Sequence, residues 1–137
     1  MPSENAVVRT QASFRLFGDS GLPASAVTQA LAFPPTLSYE VGDPISSRST
    51  KLRDSSLWLL NSSDQIESGV ELETQLERLM EILEPLADRL HGLVELGYHA
   101  NWFCYVESDA AEHAVELPRP LLQRLIGLPG GLWLDVA

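Results

Sequence analysis

The order of strand and helix patterns along the chain is the feature that most limits what it can fold into. Apolar and polar residues alternate from Val8 to Leu16, which predicts a half-buried strand that ends at Gly18. Prolines set the limits of the next helix, because Pro23 suits its first turn and Pro34 lacks the backbone N–H that would continue it. The elements predicted for the first half are a strand over 8–16, a helix over 23–32, a strand over 36–41 and, after a polar loop over 42–55, an interior strand over 57–60.

A long helix dominates the second half of the chain. Apolar residues, most of them leucine, recur at spacings of three and four between Leu72 and Val94, which places them on one helix face. Ser68 and Glu71 have the spacing of a capping box, and Pro85 inside the pattern predicts a kink or a break. The elements predicted here are a helix over 69–96, a strand over 98–106, a short strand over 114–117, a helix over 120–125 and a last strand over 132–136.

This order predicts an α+β fold with a mainly antiparallel sheet and helices packed on it. The first six elements match the β-α-β-β-α-β order of a ferredoxin-like unit, and a β-α-β unit extends it. A chain of 137 residues suits one hydrophobic core. We therefore expect a single domain over 1–137, with residues 1–6 as a flexible tail.

Charge limits the possible partners. The chain has 9 basic and 19 acidic residues, which gives a formal net charge of −10. Three basic residues, Arg48, Lys51 and Arg53, lie together in the polar loop. Because affinity for nucleic acid comes mostly from neutralised phosphates, we expect no nucleic-acid binding. An acidic surface suits a basic protein partner, or it only keeps the protein soluble.

The cell compartment is predicted from the absence of sorting signals. The segment from Met1 to Ala6 lacks the basic start and the apolar stretch of a signal peptide. No apolar run approaches the roughly 20 residues that a membrane helix needs. Cys104 is the only cysteine and has no partner for an intramolecular disulfide. We therefore expect a cytoplasmic protein that does not bind membranes.

The residues that usually carry catalysis are isolated in this sequence. Cys104 lies in the middle of a predicted strand and shares its parity with Trp102 and Val106, so we interpret it as a core residue. The histidines lie on different predicted elements, and none has the spacing of a metal site. We therefore predict no catalytic residues, no metal and no cofactor, and we regard an enzyme as the less favoured interpretation.

A series of short motifs occurs in a specific order and spacing. The residues that form it are Phe14, Leu16, Phe17, Gly18 and Asp19, then Pro23, Thr28, Leu31, Pro35 and Thr36, then Gly42, Asp43, Pro44 and Trp58. With the Leu-rich helix and the closing apolar strand, this series resembles the bacterial family called domain of unknown function 4279 over nearly the whole chain. Gly21 and Leu22 depart from the family pattern, in which an acidic or polar residue is expected at the helix start. The resemblance implies a small cytoplasmic bacterial protein without established activity or catalytic residues to transfer, and it suggests a similarity to immunity proteins that neutralise toxins.

The strand over 98–106 indicates where a partner would bind. The alternate residues of this strand that point away from the Trp102 side are His99, Asn101, Phe103 and Tyr105. They form an amphipathic aromatic set on the second face of the sheet. We expect the last helix, over 120–125, to pack over this face and cover Phe103 and Tyr105. A protein-binding or dimer face is the alternative.

We therefore hypothesise a small non-catalytic protein-binding module, such as an immunity-type inhibitor of a basic toxin, that exists as a monomer or homodimer. The residues predicted for the partner surface are Arg48, Lys51, Arg53, His99, Phe103 and Tyr105. An acidic neighbour that would fit the basic loop is the acidic helix face of a second copy. The alternative function is a small-molecule-binding or enzymatic domain with a pocket that the sequence does not reveal.

Overall fold

The computed structural model describes residues 8–64, 71–108 and 114–136, which form a mixed α+β fold. The strands are β1 (Val8–Gly18), β2 (Leu37–Tyr39), β3 (Ser56–Asn61), β4 (His99–Ser108) and β5 (Gly131–Val136). The helices are α1 (Ala24–Leu31), α2 (Leu72–Leu83), α3 (Ala87–Leu96) and α4 (Arg119–Ile126), with 3-10 turns at Ser62–Asp64 and Glu84–Leu86. The predicted tail over 1–6, the predicted capping residue Ser68 and His113, one of the three histidines, lie outside the described residues.

The five strands form one sheet in the order β2-β3-β1-β4-β5. All neighbouring strands are antiparallel except β4 and β5, which are parallel. The longest strand, β1, lies at the centre of the sheet and pairs with both β3 and β4. The predicted α+β class and mainly antiparallel sheet are confirmed, and the assignment to a ferredoxin-like unit stays a prediction from the order of the elements.

Pro85 interrupts the long Leu-rich helix, as its position predicts. The 3-10 turn at Glu84–Leu86 separates α2 from α3, so the apolar face continues over two shorter helices. A proline ring clashes with the carbonyl one turn earlier and removes a backbone donor, which explains the break. The sequence pattern therefore locates both the helix and its interruption.

The prediction of a short strand over 114–117 is wrong, because these residues have no regular secondary structure. Val115 and Leu117 are nevertheless partly buried against the core. Their alternation with polar residues therefore comes from the packing of an irregular segment and not from strand pairing. The extension of the fold consists of α4 and β5, with β5 added in parallel to β4.

One core lies between the sheet and the helices. The sheet contributes even-numbered residues, among them Phe14 of β1, Trp58 of β3 and Trp102 of β4. Phe14 and Trp102 make an edge-to-face contact with ring centroids 4.9 Å apart. Cys104 is fully buried, as predicted, and burial raises the pKa of its thiol to about 12.

None of the helices in the described ranges combines the length and the apolar character that a bilayer-spanning helix requires.

Candidate functional site

The sheet has a second face, formed by odd-numbered residues, which we call the open face. Cross-strand neighbours lie on the same side of a sheet, so the observed register aligns the odd-numbered residues of β1, β3 and β4. Its side chains at the centre and towards the β5 edge are Arg15, Phe17, Asn101, Phe103, Tyr105 and Trp133. The prediction that the last helix covers Phe103 and Tyr105 is wrong, because α4 contributes Leu121 and Leu125 to the core on the opposite side. Phe103 and Tyr105 are partly exposed.

Arg15 lies at the centre of the open face among aromatic rings. Its Nε donates a hydrogen bond of 2.8 Å to Oδ1 of Asn101, the cross-strand neighbour on β4. Its guanidinium carbon lies 4.6 Å from the ring centroid of Phe103, 5.2 Å from that of Phe17 and 6.0 Å from that of Trp133. Phe103 and Trp133 also contact each other edge to face. These rings hold the guanidinium by cation–π contacts in a partly dry setting.

The charge of Arg15 is not balanced within the described part of the chain. No described Asp or Glu forms an ion pair with it, and its hydrogen bond to Asn101 uses only one of its N–H groups. Partial burial lowers the pKa of Arg15, because desolvation disfavours the charged form. A guanidinium remains protonated in proteins despite such shifts, so the open face presents a cation with unused donors.

A second arginine lies against the open face at its β2 edge. The guanidinium carbon of Arg53 stacks 4.0 Å from the ring centroid of Tyr39, and its terminal nitrogen donates to the carbonyl oxygen of Ile45 at 3.3 Å. Its Nε is buried and has no hydrogen-bond partner among the described residues. Tyr39 pairs with Leu57 of β3, which pairs with Phe17 of β1, so its ring lies on the same face as Arg15. The face therefore combines Arg15 and Arg53 with aromatic surface, and Arg9, Glu107 and Asp135 lie on the same side towards the ends of β1, β4 and β5.

The structure places four of the six predicted partner residues on or beside this face. His99, Phe103 and Tyr105 project from β4 on the open side, and Arg53 reaches it from the loop. The hydroxyl of Tyr105 donates to Oε2 of Glu107 at 2.9 Å, and this hydrogen bond raises the pKa of Tyr105.

The other two predicted residues, Arg48 and Lys51, are exposed on the loop. Within the described ranges, no hydrogen bond, ion pair or ring contact joins them to the open face. Hydrogen bonds between main-chain groups hold the loop against itself, including one of 3.0 Å from the Ile45 N–H to the Lys51 carbonyl. Their role at a partner surface stays a prediction.

Sequence reasoning missed four residues of the face, which are Arg15, Phe17, Tyr39 and Trp133. Arg15, Tyr39 and Trp133 lie on three different strands, and only the observed strand order brings them together. The sequence contains an indication for Arg15. The residues of β1 on its side of the strand are mostly polar, and its neighbours in sequence are Phe14, Leu16 and Phe17. An arginine amid aromatic residues on the exposed parity of a central strand is a recognisable pattern once the sheet is known to have an uncovered face.

A groove of about 320 Å³ lies elsewhere, at the start of α1, and Asp19 and Glu40 line it. The carboxylate of Glu40 accepts hydrogen bonds from the backbone N–H groups of Ala24 at 2.6 Å and of Ser25 at 3.1 Å. Glu40 therefore caps α1 from outside the helix, where Gly21 and Leu22 offer no side-chain acceptor. Each oxygen of its carboxylate accepts one of these backbone hydrogen bonds, which assigns Glu40 a structural role.

We expect that Glu40→Ala lowers the free energy of unfolding by about 0.5–2 kcal/mol, because the first N–H groups of α1 lose their acceptor. Urea denaturation followed by circular dichroism measures the change. Glu116→Ala is the matched control, since Glu116 is exposed in an irregular segment and its removal should change stability by less than about 0.5 kcal/mol. Equal effects of the two variants would contradict the capping role.

A second groove, of about 330 Å³, lies between α4 and the strands β4 and β5. Its walls are almost entirely apolar and include Trp102, Leu122, Leu125 and Leu132. Elsewhere, no group of three or more His, Cys, Asp and Glu side chains in the described ranges is arranged to hold a metal ion. Neither groove brings together an acid, a base and a nucleophile.

Comparison with known proteins places the chain in a family. Searches of the curated proteins and of the solved structures found no match. The family model described as domain of unknown function (DUF4279) matches residues 8–137. Because this match covers essentially the entire chain, the protein belongs to the DUF4279 family.

Proposed function

We propose that the protein is a non-catalytic binding module whose open face holds a protein partner, with Arg15 binding a carboxylate of that partner. The observation that carries the proposal is the position of Arg15: a partly buried guanidinium, surrounded by aromatic rings and without a carboxylate among the described residues. Arginines and aromatic residues are the side chains most enriched at the centres of protein interfaces.

The geometry suits a carboxylate with apolar neighbours. The hydrogen bond to Asn101 fixes the guanidinium through Nε and leaves the terminal nitrogens for a two-pronged contact, the arrangement that carboxylates accept. Phe103 and Trp133 lie beside it and would exclude water from the ion pair. Such a charged contact is stronger in a dry setting than on an open surface. An acidic segment that also carries apolar side chains fits this face.

Charge favours a protein over a nucleic acid. Aromatic residues on an exposed sheet also stack bases in RNA-binding domains, but a chain with a net charge of −10 repels a polyanion. One carboxylate can approach Arg15 without placing a row of phosphates along the acidic surface. The prediction of a basic toxin as partner rests on the total charge, whereas the open face has the opposite sign at its centre.

The small-molecule or enzymatic alternative has less support. In the groove beside α1, Glu40 caps a helix and Asp19 is exposed at the surface, and the groove beside α4 is apolar. The open face, by contrast, contains an unpaired charge with spare donors. We therefore favour protein binding.

Trp133 provides a direct measurement of binding at the open face. It is 61% exposed, whereas Trp58 and Trp102 are buried, so changes in tryptophan emission on titration report mainly on this face. The probe is a capped tripeptide with glutamate between two phenylalanines, and the matched peptide has glutamine in the centre. We expect saturable binding of the glutamate peptide and binding weaker by about tenfold or more for the glutamine peptide, since a charge-assisted hydrogen bond contributes about 1.5–3 kcal/mol.

Arg15→Gln should weaken binding of the glutamate peptide by a similar factor. Arg89→Gln is the control, because Arg89 lies on α3 and donates to the Ala30 carbonyl on the helical side of the molecule. Equal affinity of the two variants, or equal affinity for the two peptides, would refute the proposal. Tight binding of single-stranded RNA at low salt that Arg15→Gln abolishes would replace protein by nucleic acid as the partner.

A further inference from the structure

The edge strand β5 is exposed along its whole length. Each of its six residues is exposed, and among the residues that the structure describes only β4 pairs with it. Within 8–64, 71–108 and 114–136, the backbone N–H and C=O groups on the other side of β5 therefore have no strand partner. An exposed sheet edge of this kind is a template for the addition of another strand.

Apolar side chains flank this edge on both sides of the sheet. Leu132 and Leu134 are each 44% exposed and Val136 is 67% exposed on the helical side, while Trp133 projects on the open face. The apolar surface continues to α4, where Ile126 is 81% exposed at the rim of the second groove. Soluble proteins seldom leave a contiguous apolar surface of this kind uncovered.

The opposite edge of the sheet is built differently. The edge strand β2 has only three residues, and Pro34 and Pro35 precede it. Short strands and prolines are devices that prevent edge-to-edge pairing. The described sheet therefore has one edge suited to pairing and one that is not, so pairing through β5 ends with two copies and does not continue into a fibre.

Charge indicates that the partner at this edge is a second copy of the chain. The net charge of −10 makes two copies repel each other over most of their surface. Within 114–136, however, Glu116 and Asp135 are balanced by Arg119 and Arg124. This segment of balanced charge contains α4 and β5. On the helical side β5 carries Leu132, Leu134 and Val136, and on the open side Trp133 lies next to Asp135, so a second β5 offers mainly apolar side chains to the pairing.

We infer that the protein is a homodimer in which β5 pairs antiparallel with β5 of a second copy, to give one ten-stranded sheet. The two-fold axis of an antiparallel pair is perpendicular to the sheet, so both open faces lie on the same side. Trp133 of each copy then flanks the axis, and the clusters around Arg15 lie on one continuous surface. The dimer itself does not depend on the proposed binding function.

Sedimentation velocity over a range of micromolar concentrations tests the inference. The native chain should sediment with twice its monomer mass, and high salt should not dissociate it because the contact is apolar. Leu134→Lys should halve the mass, since it places a charge in the contact from both copies. Leu37→Lys, the same change on an exposed leucine of the opposite edge strand, should leave the dimer intact.

Two further measurements keep the result decisive. Circular dichroism verifies that Leu134→Lys remains folded, and hydrogen exchange of the native chain should show backbone protection in β5 that falls on dilution. A native chain that stays monomeric at high micromolar concentration would overturn the inference. A dimer that persists in Leu134→Lys would also overturn it. Dissociation by high salt, or by the joint change of Arg48, Lys51 and Arg53 to Ser, would assign the contact to the basic loop and overturn it as well.

Discussion

Replacing Leu83 by alanine should lower the free energy of unfolding by about 2–5 kcal/mol, because the change opens a cavity in the core. Leu83 has no exposed surface and ends α2 directly before the 3-10 turn at Glu84–Leu86. The helix break limits how far the surroundings can shift to fill the space. Chemical denaturation monitored by circular dichroism measures the effect.

Leu96→Ala is the matched control for this prediction. Leu96 ends α3 and is 69% exposed, so the same truncation should change stability by less than about 0.5 kcal/mol. A loss below that value for Leu83→Ala would place Leu83 outside the core and contradict the helix register that the leucine spacing predicts.

Local patterns were sufficient to predict most of the elements. The alternation in β1 reflects a real difference between its two faces, because Phe14 and Leu16 are buried while Arg15 and Phe17 are partly exposed. Spacings of three and four located α2 and α3, and the covalent geometry of Pro85 located the break between them. These features depend on residues within one or two turns of each other, which a sequence displays directly.

Features that depend on distant residues were not predictable. The hydrogen bond from Arg15 to Asn101 joins residues 86 positions apart, and Trp133 reaches the same cluster from the last strand. The side of the sheet on which α4 packs could not be predicted from the sequence either. Its apolar residues, Leu121 and Leu125, would have suited either face, and only the structure assigns them to the core.

The same distinction explains the start of α1. Gly21 and Leu22 have no side-chain acceptor for the first N–H groups of the helix, so a local interpretation predicts a weak start. Glu40 supplies the cap from beyond the next strand, 16 residues from Ala24. Capping is a local rule about N–H groups, but the acceptor that satisfies it need not be local in sequence.

Two Gly→Ala substitutions, at Gly18 and at Gly92, should change the free energy of unfolding in opposite directions, with the larger change at Gly18. Gly18 ends β1 where the chain turns back, and it is buried. A Cβ there would lie 2.7 Å from Oγ of Ser56 and 2.8 Å from Cβ of Leu22, and it would also collide with the Leu22 carbonyl oxygen. That carbonyl accepts a hydrogen bond of 2.7 Å from the Ser56 hydroxyl, so relief of the clash also disturbs this bond. We expect Gly18→Ala to lower the free energy of unfolding by about 3 kcal/mol.

Gly92→Ala is the matched control, because Gly92 lies inside α3 and a Cβ there meets no other atom within 4 Å. Alanine restricts the unfolded chain and favours the helix, so this change should raise the free energy of unfolding by about 0.5–1 kcal/mol. Urea denaturation of both variants tests the prediction in one experiment. Backbone entropy alone would make both substitutions raise the free energy of unfolding. A Gly18→Ala protein as stable as the native chain would therefore contradict the close approach of Gly18 to Ser56 and Leu22.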